Sequence, residues 1–254
     1  MRIFLLLPLL GLAVWFTSAT QVELYKRIIG GRDCNPDEAQ YQVFLNDGPV
    51  VRDDVDACGG SLLSSKWILT AAHCNFKDLK LYIGIRNTDD IKNNNVQPVE
   101  VERKIQHPKY NAKKFLNDIM LIKLKNDVPN PKTVKLPAIC DHYPEVNVPT
   151  KRDLLVAGWG SLGEKKVPKF PAKLQCAEIR HAVCPNIDPK IIADAFCAGG
   201  ERKNVGCGDS GGGVVRTARN EVYGVVKAGC SDQDPSVFTS VCSHLDWIKK
   251  ETKL

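Results

Sequence analysis

Residues 208–213 read Gly-Asp-Ser-Gly-Gly-Gly, a serine set among glycines. A serine hydroxyl is a poor nucleophile at neutral pH. A chemical role for Ser210 therefore requires an imidazole to take its proton and a carboxylate to hold that imidazole. Two further words supply them: Thr-Ala-Ala-His-Cys at 70–74 carries His73, and Asn-Asp-Ile-Met-Leu-Ile-Lys-Leu at 117–124 carries Asp118. The glycines beside Ser210 let backbone N–H groups turn toward one point, where an oxyanion would develop. Singly, these words also read as a core histidine, a cap and a glycine-rich turn.

Around them, short β-branched and aromatic runs recur between Gly, Pro, Asn and Asp clusters: 42–45, 61–63, 67–69, 81–83, 99–105, 120–124, 154–157, 174–179, 212–215, 222–226 and 237–239. Many short strands separated by turns predict an all-β protein, an antiparallel barrel or sandwich and not β-α-β units. The halves before and after about residue 135 hold similar numbers of strands, which suits two stacked barrels. Two helices are expected. One is short, within 182–195, and broken by Pro185 and Pro189; the other is C-terminal, capped by Ser243, with Leu245 and Ile248 on one face.

The 254 residues are 43% hydrophobic and 25% charged, which excludes a disordered or collagen-like chain. The net charge of +6 is dispersed, with no run of five like charges, so nucleic acid is not expected as a partner; after the first 20 residues no stretch approaches ~18 consecutive apolar residues, so no membrane is expected either. Residues 1–19 read as a secretory signal peptide: Arg2, an apolar run from Ile3 to Phe16, then small residues to a cut near Ala19 or Thr20. Secretion makes the ten cysteines a disulfide framework and not a thiol or zinc site.

The order His, Asp, Ser with these flanking words, together with Cys-Gly-Gly-Ser-Leu-Leu at 58–63 and Ala-Gly-Trp-Gly at 157–160, resembles the trypsin-like (chymotrypsin-family) serine proteases. The resemblance runs from Ile28 to Leu254 and implies two antiparallel six-stranded barrels of chymotrypsin type with a C-terminal helix. It implies that Ser210 attacks, His73 acts as base then acid, Asp118 orients His73, and the N–H groups of Gly208 and Ser210 hold the oxyanion. Arg-Ile-Ile-Gly-Gly at 27–31 resembles the family's activation site, which implies a propeptide at 20–27 and a peptidase domain at 28–254, its halves meeting near 135–150. Cleavage after Arg27 by a trypsin-like enzyme would free the Ile28 amino group to pair with Asp209. By the same resemblance the disulfides are Cys34–Cys176, Cys58–Cys74, Cys140–Cys242, Cys184–Cys197 and Cys207–Cys230. A sixth family bridge is absent, its two positions being Leu154 and Arg216.

Several residues depart from the family pattern. Cys207 abuts Gly208, leaving the loop that builds the oxyanion site one residue short. The base of the substrate pocket falls on Val205, or on Asn204 if the gap lies elsewhere; neither is the aspartate that would bind Arg or Lys. Opposite, Ser236 replaces a glycine of the pocket wall and narrows the pocket, to which Lys227 and Gly229 are also assigned. The family's Ser-Trp-Gly substrate segment is replaced by Val-Val-Lys-Ala-Gly-Cys at 225–230, which puts Lys227 close to Asp118 as a competitor with His73, unless its side chain points outward. Ile85 and Val96 stand where calcium-binding relatives have glutamates, so no metal and no cofactor is expected.

Two functions fit: a secreted serine endopeptidase zymogen with non-tryptic specificity, or a trypsinogen-like homologue that kept the triad but acts as a binding protein. Either is expected as a monomer that meets protein or peptide substrates and protein protease inhibitors. A third reading, the α/β-hydrolase elbow formed by Gly208, Ser210 and Gly212 with His244, fails because the residues after Ser210 read as strand.

Overall fold

The structure, a computed structural model, describes residues 28–48, 57–140, 154–161, 170–184, 192–200, 203–229 and 234–254. The expected signal peptide and propeptide, the Arg27 cleavage position and much of the 135–150 junction lie outside these residues.

The described strands are β1 (Arg32–Asp33), β2 (Gln42–Asp47), β3 (Ala57–Leu62), β4 (Trp67–Thr70), β5 (Leu79–Ile83), β6 (Val101–Gln106), β7 (Met120–Leu124), β8 (Leu154–Gly158), β9 (Gln175–Ile179), β10 (His181–Ala182), β11 (Ala195–Ala198), β12 (Gly213–Arg216), β13 (Glu221–Ala228) and β14 (Ser236–Ser240). They form two antiparallel sheets. The first has the order β5-β2-β3-β4-β7-β6. The Val99 N–H donates to the Leu81 carbonyl at 2.9 Å, linking β5 to the segment entering β6, so the sheet curls on itself. Leu45, Ile68, Leu81, Met120 and Ile122 fill its interior with no exposed surface. Fully burying each side chain of this size contributes roughly 1.5–3 kcal/mol.

The second sheet has the order β1-β9-β8-β12-β13-β14-β11-β10. The resemblance implied six strands; two-residue edge strands, β1 and β10, raise the count to eight. Because β10 follows β9 through Arg180, and the Gly199 N–H bonds the Arg180 carbonyl at 2.8 Å, the far edges of this sheet also meet. Its interior holds Ile28, Leu154, Val156, Phe196, Val214 and Phe238.

The helices differ from expectation. Of the segment 182–195, Ala182 lies in β10 and Ala195 begins β11, while residues 185–191 lie outside the described residues. Ala182 pairs with Cys197 and Ala195 with Thr239, so sheet hydrogen bonding overrides the local preference. At the C-terminus, Ser243 is not the cap. It sits inside a 3-10 turn, Cys242–His244, where its N–H donates to Ser240 Oγ at 3.1 Å, and the helix follows as α2 (Leu245–Thr252). A short helix α1 (Asp89–Lys92), too brief for a periodic signal, was not expected.

Four disulfides, Cys34–Cys176, Cys58–Cys74, Cys140–Cys242 and Cys184–Cys197, match the implied pairing. Cys207 is also disulfide-bonded, and its expected partner Cys230 lies outside the described residues. Leu154 of β8 and Arg216 of β12 are direct cross-strand partners. The two positions of the absent bridge thus face each other across one ladder, at a spacing a disulfide spans. The variant Leu154→Cys/Arg216→Cys is therefore expected to close spontaneously, leaving no titratable thiol. Reducing that added bridge should lower its Tm by roughly 5–10 °C, from about 2–4 kcal/mol of cross-link stabilisation. Two free thiols in the folded variant would show that the register is different.

Candidate active site

His73 and Asp118 come from the first sheet's connections. Asp118 immediately precedes Ile119 and β7, and its carboxylate is fully buried. The His73 N–H donates to Asp118 Oδ1 at 2.9 Å and the His73 Nδ1–H to Asp118 Oδ2 at 2.6 Å. Two bonds to one carboxylate fix the ring's tautomer and leave Nε2 as the basic nitrogen. The ring lies in the 3-10 turn Ala72–Cys74, with its side chain 30% exposed and Cys74 anchored to Cys58 of β3. The Asp118 carbonyl accepts from Thr239 Oγ1 of β14 at 3.0 Å, tying the first sheet's aspartate to the second sheet.

Ser210 belongs to the loop entering β12. Its carbonyl accepts the Gly59 N–H at 2.7 Å, directly across the seam between the sheets. Gly211 makes that approach feasible. Its φ is +80°, and a Cβ there would lie 2.2 Å from Thr70 Oγ1 and 2.6 Å from the Gly59 carbonyl. Within this loop the N–H groups of Gly206, Asp209, Gly211 and Gly212 are all committed to protein acceptors. Those of Gly208 and Ser210 donate to no acceptor among the described residues. The Ser210 hydroxyl likewise makes no hydrogen bond there, including to His73.

Asp209 lies beneath this loop, 2% exposed, accepting the Gly160 and Gly206 N–H groups at 2.7 Å each. A Cβ at Gly158 would come within 2.0 Å of its Oδ1, and one at Gly160 within 2.5 Å of its carboxylate. The Ala-Gly-Trp-Gly word is thus the floor on which this carboxylate rests. Burial pushes the Asp209 carboxyl up to about 6, against the two backbone donors that lower it. Among the described residues it has no cationic partner.

In the pocket region, Asn204, Val205 and Ser236 are 0–1% exposed. The Ser236 hydroxyl donates to Asn204 Oδ1, and Asn204 Nδ2 donates to the Asp234 carbonyl. The Asn204 N–H reaches the Ile29 carbonyl at 3.0 Å. A Cβ at Gly229 would lie 2.3 Å from Ser236 Oγ and 2.6 Å from Val205 Cγ2. The polar residue facing Ser236 is therefore Asn204, the alternative position for the pocket base, while Val205 closes against Gly229.

Lys227 does not reach Asp118 in this structure. The register of β13 against β14 shifts between Val226 and Ala228, and this bulge turns Lys227 inward, 4% exposed, with Nζ 3.4 Å from Asp194 Oδ1. A one-residue slip in a ladder has no local signature, so neither the bulge nor the role of Asp194 is legible in the sequence. Ile85 and Val96 pack against the first sheet's apolar core and offer no oxygen ligands. Among the described residues one histidine-cysteine cluster, Cys58, His73 and Cys74, has ligand spacing, but both sulfurs are spent in a disulfide.

The Trypsin family model matches residues 28–248. The chain belongs to the trypsin family of serine proteases. It is 37% identical to Trypsin-4 of Rattus norvegicus over 98% of each chain. It is 33% identical to Trypsin of Xenopus laevis, again over 98% of each. Against Kallikrein-4 of Homo sapiens it is 31% identical over 88% of this chain and 87% of the other. The two curled antiparallel sheets and short C-terminal helix are the chymotrypsin-like fold.

The Asp209 carboxyl makes the stability of the intact chain depend on pH. Its folded pKa lies above its unfolded value, so the native state holds the extra proton and stability falls as pH rises from about 4 through about 6. The stability of wild type relative to Asp209→Asn, from urea melts, should decline by about 2 kcal/mol between pH 4 and pH 7. A pH-independent difference would mean that Asp209 is already paired.

Proposed function

We propose that the protein is a secreted serine endopeptidase made as a zymogen, with Ser210, His73 and Asp118 as its triad. Ser210 Oγ attacks the scissile carbonyl while His73 Nε2 takes its proton, then returns it to the leaving amine. Asp118 holds the ring by the 2.6 Å bond to Nδ1 and stabilises the imidazolium. The observation that carries this reading is the pair of N–H groups at Gly208 and Ser210 that meet no acceptor among the described residues, although the loop before Gly208 is one residue short. Two such donors stabilise an oxyanion, each worth about 3 kcal/mol in the transition state.

Activation follows from Asp209. Cleavage after Arg27 creates an ammonium at Ile28, a residue with no exposed surface in the second sheet's core. Pairing it with the buried Asp209 carboxylate relieves the desolvation that holds that group near pKa 6. The preference is non-tryptic. Val205, Asn204 and Ser236 offer no carboxylate for Arg or Lys, and their burial favours a small apolar side chain at the scissile bond. The binding-protein reading draws support from that same closure and from the unbonded Ser210 hydroxyl. Partners under either reading are protein or peptide substrates, protein protease inhibitors and an activating trypsin-like protease.

The test is to cleave the purified chain after Arg27 and expose it to a fluorophosphonate and a panel of peptide esters. Labelling at Ser210, absent in Ser210→Ala, and faster turnover of Ala than of Arg or Lys esters are expected. No labelling above the Ser210→Ala control would overturn the peptidase reading. Preferred turnover of Arg esters would overturn the pocket assignment.

A further inference from the structure

Asp118 is positioned through its main chain as well as its carboxylate, and the residue before it is held in an uncommon conformation. Asn117 has φ +50°, a left-handed value that costs energy unless neighbours enforce it. Its N–H donates to Asp194 Oδ2, its Nδ2 donates to the Lys109 carbonyl at 3.0 Å, and its Oδ1 lies 3.2 Å from His244 Nε2. Asp194 directly precedes β11, and its own carbonyl accepts the Ser240 N–H at 2.8 Å, which locks it to the end of β14. Lys227, on the bulge of β13, brings its ammonium to the other oxygen of the same carboxylate, with its side chain 1% exposed. His244 completes the cluster. Its Nδ1–H donates to the Ser240 carbonyl at 2.6 Å and its Nε2 lies 3.8 Å from Asp194 Oδ2.

We propose that Asp194 is a positioning residue for the catalytic Asp118, acting through the Asn117 N–H, and that Lys227 is the cation that allows this carboxylate to be buried there. The inference rests on the peptidase reading of the triad. A nearly buried carboxylate without a cation would cost several kcal/mol or take up a proton, and a protonated oxygen facing an N–H donor would lose that bond. Lys227 keeps Asp194 an acceptor. The oxygen it preserves fixes the Asn117 peptide, and the next residue carries the carboxylate that orients His73. The residue that breaks the family's Ser-Trp-Gly pattern thus supports the aspartate from behind instead of competing for it. Among the described residues, the charged and titratable groups around Asp194 are Lys227 from β13, His244 from the 3-10 turn before α2, and His107 from the loop after β6. His107 packs edge-on against His244, its ring centroid 5.0 Å away.

Two double variants isolate the acceptor, because both remove the same pair of charges. In Lys227→Met/Asp194→Asn an amide oxygen remains for the Asn117 N–H; in Lys227→Met/Asp194→Ala none does. Two readouts apply to the Arg27-cleaved protein: the NMR resonance of the proton shared by His73 Nδ1 and Asp118, and the rate of Ser210 acylation. The Asn variant should keep the resonance and acylate within about threefold of wild type. The Ala variant should lose or shift the resonance and acylate at least about tenfold more slowly with unchanged KM. Equal resonances and rates in the two, with only Tm lowered in the Ala variant, would make Asp194 merely structural and overturn the proposal. If even wild type fails to acylate, the peptidase reading falls, while the resonance still decides the positioning role. Should the Ala variant not fold, hydrogen exchange of the Asn117 amide in wild type decides. Protection comparable to β7 supports the bond, and exchange at the rate of an open loop removes it.

Discussion

The hydrogen bond from the Gly59 N–H to the Ser210 carbonyl, 2.7 Å long, is where the two sheets become one site. His73 and Asp118 lie in connections of the first sheet and Ser210 in a loop of the second, so every distance in the proposed triad depends on how closely β3 approaches the loop before β12. Glycines on both sides make the approach feasible. A Cβ at Gly59 would lie 3.0 Å from the Gly212 Cα, and one at Gly211 would strike Thr70 and Gly59. Thr70 Oγ1 adds a bond to the Gly59 carbonyl at 2.8 Å, and the Cys58–Cys74 disulfide ties the same strand to the His73 turn. A second tie, Thr239 Oγ1 to the Asp118 carbonyl, crosses the seam from the other direction.

Two buried carboxylates besides Asp118 surround this seam, and they are stabilised differently. Asp209 rests on backbone N–H groups alone and is held near pKa 6 by burial, which makes it an acceptor waiting for a cation. Asp194 already has one, in Lys227. The contrast fits their proposed roles, one carboxylate switched by a new amino terminus and the other permanently braced.

The departures from the family pattern do not all act where the sequence placed them. At the shortened Cys207–Gly208 junction Gly208 adopts φ +96°, the Ser161 N–H takes up the Cys207 carbonyl at 2.6 Å, and among the described residues the Gly208 and Ser210 N–H groups meet no acceptor. Ser236 and Asn204 satisfy each other instead of facing an open pocket. The absent sixth bridge is replaced by an ordinary cross-strand pair, Leu154 with Arg216.

The sequence already specified the all-β fold, most of the strands, the disulfide framework and the three residues proposed as the triad. Strand periodicity and glycine spacing are local, and the words around His73, Asp118 and Ser210 keep their order. It did not determine the partner of Lys227, the residue facing Ser236, the Ser240 contact at the C-terminal turn, or the strand at 195–198. Each of these turns on register. A bulge between Val226 and Ala228 reverses which face Lys227 occupies, and Asp194 meets it only because β11 pairs with β14 and β14 with β13. Pairing between strands far apart in the chain chooses the partner of a buried charge, and that choice is made only when the sheet has closed.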